Sequence, residues 1–194
     1  IKGYNKVFKD FPVAVIGGDT TYGPTSITMT LIGYSSNTNS MLTSSAKEND
    51  VIFISGSIGE SLLARKYNKY HMPENRNELG VILTEYANSC TDMSDGLLDS
   101  LKRITEKSNL GAIIKINEIK ISSELKNQIK NENISWQDVL SYGDDYELFF
   151  TVDKKKSTAL KNLCKNIGIE IYEIGSLAKD KNVNFQYNDK YLNI

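Results

Sequence analysis

The chain has 194 residues, of which 40% are hydrophobic and 24% charged, and its formal net charge is −1. This length and composition are ordinary for a globular protein with a real hydrophobic core. The near-zero charge excludes a general attraction to nucleic acid or to anionic membranes, so any polyanion has to be bound locally.

Cysteine usage and the lack of targeting segments both favour a reducing compartment. Cys90 and Cys164 are far apart and form no C-x-x-C motif, so neither a zinc site nor a disulfide framework is indicated. No apolar run approaches the length of a membrane span, and the first ten residues contain no signal-peptide core. We therefore expect a cytoplasmic protein, and the early strand after Ile1 leads us to expect a piece of a longer polypeptide.

The first 36 residues are predicted to contribute two strands. Residues 12–17 form a short β-branched apolar run, and residues 26–34 alternate apolar side chains with threonine. The Ser- and Asn-rich segment that follows is a predicted linker, with a domain boundary near residues 36–46. We predict that residues 1–36 are the terminal strands of an amino-terminal domain and that residues 37–194 form a carboxy-terminal domain.

The rest of the chain alternates irregularly between predicted strands and helices. Strands are predicted at the sequences DVIFISG, AIIKI, YELFFTV and IEIYEIG. Helices are predicted at residues 76–89, within TDMSDGLLDSLKRITEKSN, and at SIGESLLARKYNKY, SSELKNQIKNENISWQDVLSY and KKKSTALKNLCKNIG. The tail is predicted to be a hairpin that turns at Asn188 and Asp189. Because the alternation is not strict, we expect an α+β fold with a layered mixed sheet and packed helices.

The clearest predicted helix begins within the sequence TDMSDGLLD. Ser94 is a plausible N-cap, Asp95 and Asp99 fall in the early turns, and leucines at helical spacing form the apolar stripe. The positive end of such a helix attracts phosphate, but the carboxylates of Asp92 and Asp95 would repel it unless a divalent cation intervened. The alternative is that these acidic residues only complement the helix dipole.

Two glycine-bearing turns could also approach a phosphate. Gly17 and Gly18 precede Asp19 at the end of the first predicted strand, where a carboxylate could hold a cation, although a plain Gly-Asp turn explains the same residues. The sequence SGSIGES lacks the lysine of a Walker A loop, which favours a tight turn between a strand and a helix.

Taken together, these motifs resemble thiamine-monophosphate kinase, a family within the ATP-binding superfamily of aminoimidazole ribonucleotide synthetase. The sequences GGDTTYGPTSIT, VIFISGSIGES, KYHMP, TDMSDGLLDSLKRI, SNLGAIIKI and YGDDYELFFTV occur in the family's order and approximate spacing. The resemblance implies the carboxy-terminal domain of that superfamily, preceded by the last strands of the amino-terminal domain.

The resemblance also implies a reaction and its site. It implies transfer of the γ-phosphate of ATP to thiamine monophosphate with Mg²⁺, by a homodimer of the full-length protein. By position, it implies that Gly18, Asp19 and Ser94 bind ATP and that Asp19, Asp92 and Asp95 bind metal. Asp144 stands where the family usually has glutamate, at a position associated with the thiamine substrate.

No acid or base is assigned, because the acceptor is itself an ionised phosphate and phosphoryl transfer depends mainly on positioning and cations. Two other functions remain open from the residues alone. One is a synthetase of the same superfamily that uses ATP to activate another substrate. The other is a non-catalytic nucleotide-binding or assembly module, whose acidic residues would serve only the helix ends.

Overall fold

The computed structural model describes residues 3–4, 8–9, 13–34, 40–188 and 190–192. The chain divides into two units, Ile1–Ser36 and Asn37–Ile194. No helix in the described ranges is long and apolar enough to cross a membrane.

The second unit contains seven strands and six helices among its described residues. The strands are β1 (Val51–Ser55), β2 (Ala87–Asp92), β3 (Gly111–Lys115), β4 (Leu148–Val152), β5 (Ile171–Ala178), β6 (Val183–Tyr187) and β7 (Lys190–Leu192). The helices are α1 (Glu60–Lys66), α2 (Asn77–Tyr86), α3 (Leu97–Ser108), α4 (Ser123–Lys130), α5 (Trp136–Ser141) and α6 (Lys154–Asn166), and a 3-10 turn spans Ile116–Glu118.

The strands form one mixed sheet in the order β2-β4-β1-β5-β3-β6-β7. Neighbouring strands are antiparallel except for β3 and β6, which are parallel. The predicted α+β fold with a layered mixed sheet is therefore confirmed, as is the carboxy-terminal hairpin, which turns through Asn188 between β6 and β7. Asp189, the other predicted turn residue, lies outside the described residues.

Helices cover both faces of the sheet, and strand β1 shows why. Ile52 and Ile54 enter a core cluster with residues of α3, α4 and α5, whereas Val51 and Phe53 enter a second cluster with residues of α2 and α6. Successive side chains of a strand point to opposite faces, so a strand buried on both sides is apolar throughout. The ring of Phe53 stacks on that of Phe150 with 5.5 Å between centroids.

The two strands predicted in the first unit are absent from its described residues. Residues 13–34 have no regular secondary structure, and Ile16, Ile27 and Leu31 are 87%, 79% and 74% exposed. A strand is stable only beside a partner that satisfies its backbone hydrogen bonds, and the described part of this unit supplies none. Pro12 lies outside the described residues, and the assignment of residues 1–36 to a separate domain remains a prediction.

Two predicted helix boundaries are also wrong. The helix expected over residues 76–89 ends at Tyr86, because Ala87 is extended and begins β2, which pairs with β4. Ser94 does not cap α3, and Asp95 precedes that helix. The N-cap is Gly96, whose φ of 97° is readily adopted only by glycine. The main chain of Met93 and Ser94 is instead held by hydrogen bonds from residues 144–146.

A capping box at the start of α5 gives the fold a local dependence on pH. The Ser135 hydroxyl accepts from the Asp138 N–H, and the Asp138 carboxylate accepts from the Ser135 N–H at 2.8 Å. The Ser135 hydroxyl and N–H both lower the pKa of Asp138 below its ordinary 3.8. A lowered pKa means that the carboxylate stabilises the fold above its unfolded pKa, and that this contribution is lost as the pH falls through the folded pKa.

Replacing Ser135 with alanine is therefore expected to lower the free energy of unfolding by about 1 kcal/mol at neutral pH, because a cap and its partner are lost. The stability difference between the wild type and Asp138→Asn should shrink as the pH falls from about 5 to below the lowered pKa of Asp138. Urea unfolding at several pH values measures both effects. A difference that stays constant over this range would contradict the role of the Asp138 carboxylate in the cap.

Candidate active site

Three acidic residues surround one arginine where β2 leads into α3. The guanidinium of Arg103 lies 2.7 Å from Asp99 Oδ2, 3.3 Å from Asp95 Oδ2 and 3.9 Å from Asp92 Oδ1. It also donates to the Thr91 hydroxyl at 3.2 Å. The structure thus brings the two predicted metal ligands of this unit, Asp92 and Asp95, to the same guanidinium.

The charges of this cluster do not cancel. Asp99 raises the pKa of Arg103 through a hydrogen bond and its charge, and Asp92 and Asp95 raise it further, so the guanidinium stays charged. Three carboxylates and one guanidinium leave two formal negative charges on an exposed surface. A divalent cation would neutralise them.

A second loop lies against the acidic one and carries the predicted substrate residue. The N–H of Asp144 donates to the Ser94 carbonyl at 2.9 Å, and the N–H of Tyr146 donates to the Met93 carbonyl at 3.3 Å. A Cβ at Gly143 would overlap the Ser94 carbonyl oxygen, so only glycine permits this approach. The structure therefore places Asp144 beside Ser94, at the edge of the sheet where β2 ends and β4 begins.

The neighbouring carboxylate, Asp145, is buried and was not predicted to have a role. Its oxygens accept from the Gly59 N–H at 2.6 Å and the Ser61 N–H at 3.0 Å. The Ser61 hydroxyl lies 2.8 Å from Asp145 and 2.6 Å from the Gly143 carbonyl, so its single proton is shared between these two acceptors. These donors belong to the start of α1, whose N-cap residue is Gly59 and has no side chain to offer. Helix α1 begins without a Ser, Thr, Asp or Asn cap, so its first N–H groups need an acceptor from elsewhere in the chain. The missing cap is the sequence signal for such an acceptor.

Glu147 of the same loop is also buried, and it accepts from three side-chain donors. The Ser55 hydroxyl donates to it, and Arg76 donates through Nε and Nη2, each at 2.6 Å. This contact raises the pKa of Arg76. Arg76 also contacts the exposed Glu74 at 2.9 Å. The pair ties the segment before α2 to the sheet edge, a long-range contact that no local pattern predicts.

The donor set at the acidic loop fits Mg²⁺. Mg²⁺ prefers hard oxygen ligands and usually takes one or two protein carboxylates together with water and substrate phosphates. Asp92 and Asp95 supply two such carboxylates, with side chains 49% and 67% exposed. Among the described residues no group of three His, Cys, Asp or Glu side chains could enclose a metal by itself. Two carboxylates leave the other positions of an octahedral Mg²⁺ ion to water and phosphate oxygens.

The first turn of α3 and its surroundings suit an anion. Its N-cap, Gly96, provides no side-chain hydrogen bond to the N–H groups of that turn. Such N–H groups and the positive end of the helix dipole favour phosphate. On the preceding strand, burial and the Asp92 carboxylate raise the pKa of Cys90 to about 12. The thiol is therefore protonated at neutral pH and is a poor nucleophile.

Gly18 and Asp19 lie in the first unit and are exposed there. The Asp19 carboxylate accepts a hydrogen bond from the N–H of the next residue, Thr20, at 2.7 Å. The roles of these two residues in nucleotide and metal binding remain predictions. The second glycine-bearing turn, before α1, is a tight turn as expected, with Gly56 and Gly59 at φ of 56° and 82°.

Comparison with known proteins identifies the family. A model of the C-terminal domain of AIR synthase related proteins matches residues 66–188. The chain is 35% identical over 208 residues to thiamine-monophosphate kinase of Buchnera aphidicola subsp. Schizaphis graminum, an alignment that covers 97% of the chain and 64% of the relative. Against the Escherichia coli K12 thiamine-monophosphate kinase the identity is 33%, over 88% of the chain and 57% of the relative.

Solved structures show the same fold. Thiamine-monophosphate kinase from Stenotrophomonas maltophilia K279a superposes with a TM-score of 0.66 at 25% identity, covering 80% of this chain and 55% of that one. The structure of AaThiL complexed with AMPPCP and TMP superposes with a TM-score of 0.60 at 24% identity, covering 78% of this chain and 52% of that one. Escherichia coli HypE, a hydrogenase maturation protein, gives 0.67 at only 11% identity, covering 78% and 51%. The last two likenesses concern the fold alone.

The motif resemblance to thiamine-monophosphate kinases is confirmed by these relatives. The chain nevertheless spans only 64% and 57% of the length of the two curated relatives compared above. Since the family model covers more than half of the chain, the chain belongs to the AIR synthase related proteins and contains their C-terminal domain.

Proposed function

We propose that the protein carrying this chain transfers the γ-phosphate of ATP to thiamine monophosphate, forming thiamine diphosphate and ADP. The observation that carries the proposal is the juxtaposition of the Asp92–Asp95 loop with the Asp144 loop at the start of α3. The identity of up to 35% to curated thiamine-monophosphate kinases supports it.

Asp92 and Asp95 are assigned to hold Mg²⁺, which would neutralise negative charge on the phosphoryl group as it moves. The Ser94 hydroxyl and the first turn of α3 are assigned to the phosphates of ATP. Asp144 is assigned to the thiamine substrate. Gly18 and Asp19 of the first unit are assigned to nucleotide binding, and Asp19 is also assigned to metal binding.

The chemistry requires little from the protein beyond positioning. The acceptor is a phosphate that is already ionised near neutral pH, so no strong general base is needed. Direct transfer between two bound phosphates is the route that these residues support best.

We further propose a cytoplasmic homodimer that binds neither nucleic acid nor a membrane. The net charge of −1 supports the absence of polyanion binding. The lack of a membrane-spanning helix among the described residues is compatible with this location.

The fold is shared with a hydrogenase maturation protein, so acceptor chemistry has to be tested directly. The full-length protein should form thiamine diphosphate and ADP in equal amounts from Mg-ATP and thiamine monophosphate. Thiamine is the matched control acceptor, because it lacks only the phosphate, and it should not react. ADP release without thiamine diphosphate would indicate a synthetase acting on another substrate. The absence of any thermal shift with Mg-ATP would indicate a non-catalytic module.

A further inference from the structure

We propose that Arg103 is a built-in counter-cation that competes with the divalent cation for Asp92 and Asp95, so that metal binds well only when it arrives with a nucleotide. The inference rests on the proposed function for the identity of the metal ligands. It concerns a residue to which neither the motifs nor the comparisons give a role.

The geometry places the Arg103 guanidinium within 4 Å of both carboxylates. Its Nη2 lies 3.3 Å from Asp95 Oδ2, and its Nη1 lies 3.9 Å from Asp92 Oδ1. Mg²⁺ binds carboxylate oxygens at about 2.1 Å, so a bound ion would sit within a few ångströms of the guanidinium. Charges of the same sign at that separation repel strongly even at high dielectric.

Asp99 can remain paired with Arg103 when the guanidinium moves away from Asp92 and Asp95. This carboxylate lies one helical turn before Arg103 and makes its shortest contact, 2.7 Å. The arginine side chain is 32% exposed, so it can move without leaving a buried cavity. If it kept Asp99 and released Asp92 and Asp95, it would remain paired. The proposed competition therefore involves two arrangements: the observed one, closed by Arg103, and a second one that is open to a cation.

A nucleotide would favour the open arrangement. Phosphate oxygens that accompany the cation bring negative charge, which offsets the repulsion between the metal and the guanidinium. Metal alone brings no such charge and has to displace Arg103 unaided. Metal and nucleotide are therefore expected to bind cooperatively, each raising the affinity of the protein for the other.

The competition is tested by titrating the full-length protein with Mn²⁺ in the absence of nucleotide. Binding is measured as the loss of the electron paramagnetic resonance signal of free Mn²⁺. Arg103→Gln removes the charge and should tighten Mn²⁺ binding by about tenfold, the size expected for one charge near a divalent ion. Arg103→Lys keeps the charge and should stay close to the wild type. In the presence of AMPPCP the gain in Arg103→Gln should be much smaller.

Lys102→Gln is the matched control. Lys102 precedes Arg103 on α3, is 69% exposed and contacts only Glu106 among its described ion-pair partners, at 3.9 Å. Its replacement removes the same charge away from the cluster, and Mn²⁺ affinity should change less than about twofold. Adding Asp95→Asn to Arg103→Gln should abolish the gain, which places the metal at this loop.

Several results would overturn the inference. One is Mn²⁺ affinity that is unchanged or weaker in Arg103→Gln, and another is an equal increase in Mn²⁺ affinity in Lys102→Gln. The others are an increase that persists when Asp95→Asn is added, and no Mn²⁺ binding in any variant. The readout is independent of turnover. A protein in which Arg103→Gln tightens Mn²⁺ binding but which does not phosphorylate thiamine monophosphate would retain this inference and lose the proposed function.

Discussion

Replacing Glu147 with glutamine is expected to lower the free energy of unfolding by about 3–5 kcal/mol, the cost of breaking a buried ion pair by removing one partner. The side chains of Arg76 and Glu147 are only 16% and 9% exposed, and the guanidinium binds the carboxylate through two nitrogens. Glutamine would leave the arginine charge without its buried partner and would place an amide group against a donor. Urea unfolding monitored by circular dichroism measures the loss.

Two further variants show whether the pair is responsible. Glu74 is the second partner of Arg76, and the side chain of Glu74 is 75% exposed. Glu74→Gln should therefore change the free energy of unfolding by less than about 0.5 kcal/mol. The double variant Arg76→Met, Glu147→Gln should be more stable than the sum of its single changes, because it removes the uncompensated charge. Strict additivity would contradict a direct coupling between Arg76 and Glu147.

Replacing Asp145 with asparagine is expected to cost about 2–4 kcal/mol, because buried donors at the start of α1 lose a charged acceptor. The carboxylate is 4% exposed, accepts from the Gly59 and Ser61 N–H groups and shares the proton of the Ser61 hydroxyl with the Gly143 carbonyl. An asparagine side chain keeps one acceptor oxygen, and its NH₂ group would face either the Gly59 N–H or the Ser61 donors. In a domain of this size the melting temperature should fall by roughly 5–15 °C.

The adjacent residue provides the control. Asp144 is exposed and has a φ of 66°, a conformation that asparagine tolerates, so Asp144→Asn should change stability by less than about 0.5 kcal/mol. Comparing the same substitution at the two neighbouring positions therefore shows which of the two carboxylates stabilises the fold. Equal losses for Asp144→Asn and Asp145→Asn would refute the assignment of Asp145 as the acceptor that anchors α1.

Features of the fold that depend on local periodicity could be predicted from the sequence. The apolar spacing of α3 and the continuous apolar run of β1 identify both elements, and the structure buries Leu97, Leu101 and Ile104 as that spacing requires. Strand β2 has the sequence ANSCTD and carries no such pattern. It is a strand because β4 pairs with it, which is a tertiary effect.

The candidate site could be predicted only in part. The motifs and the family resemblance predict Asp92, Ser94, Asp95 and Asp144, and the structure brings their loops together, while the roles of these residues remain predictions. The start of α3 was misplaced, because main-chain pairing with residues 144–146 holds Ser94 away from the cap position. The partners of Arg103 are close in sequence, but the pattern does not show that one guanidinium meets three carboxylates.

The central claim is that Asp92 and Asp95 admit nucleotide phosphates only when a divalent cation lies between them. The direct measurement is calorimetric titration of the full-length protein with AMPPCP, with and without Mg²⁺. The matched control is Asp180→Asn, which replaces another exposed aspartate in the turn between β5 and β6. We predict that Mg²⁺ tightens binding by at least about tenfold in the wild type and in the control, and has little effect in the double variant Asp92→Asn, Asp95→Asn. Undiminished Mg²⁺ dependence in the double variant would contradict the claim.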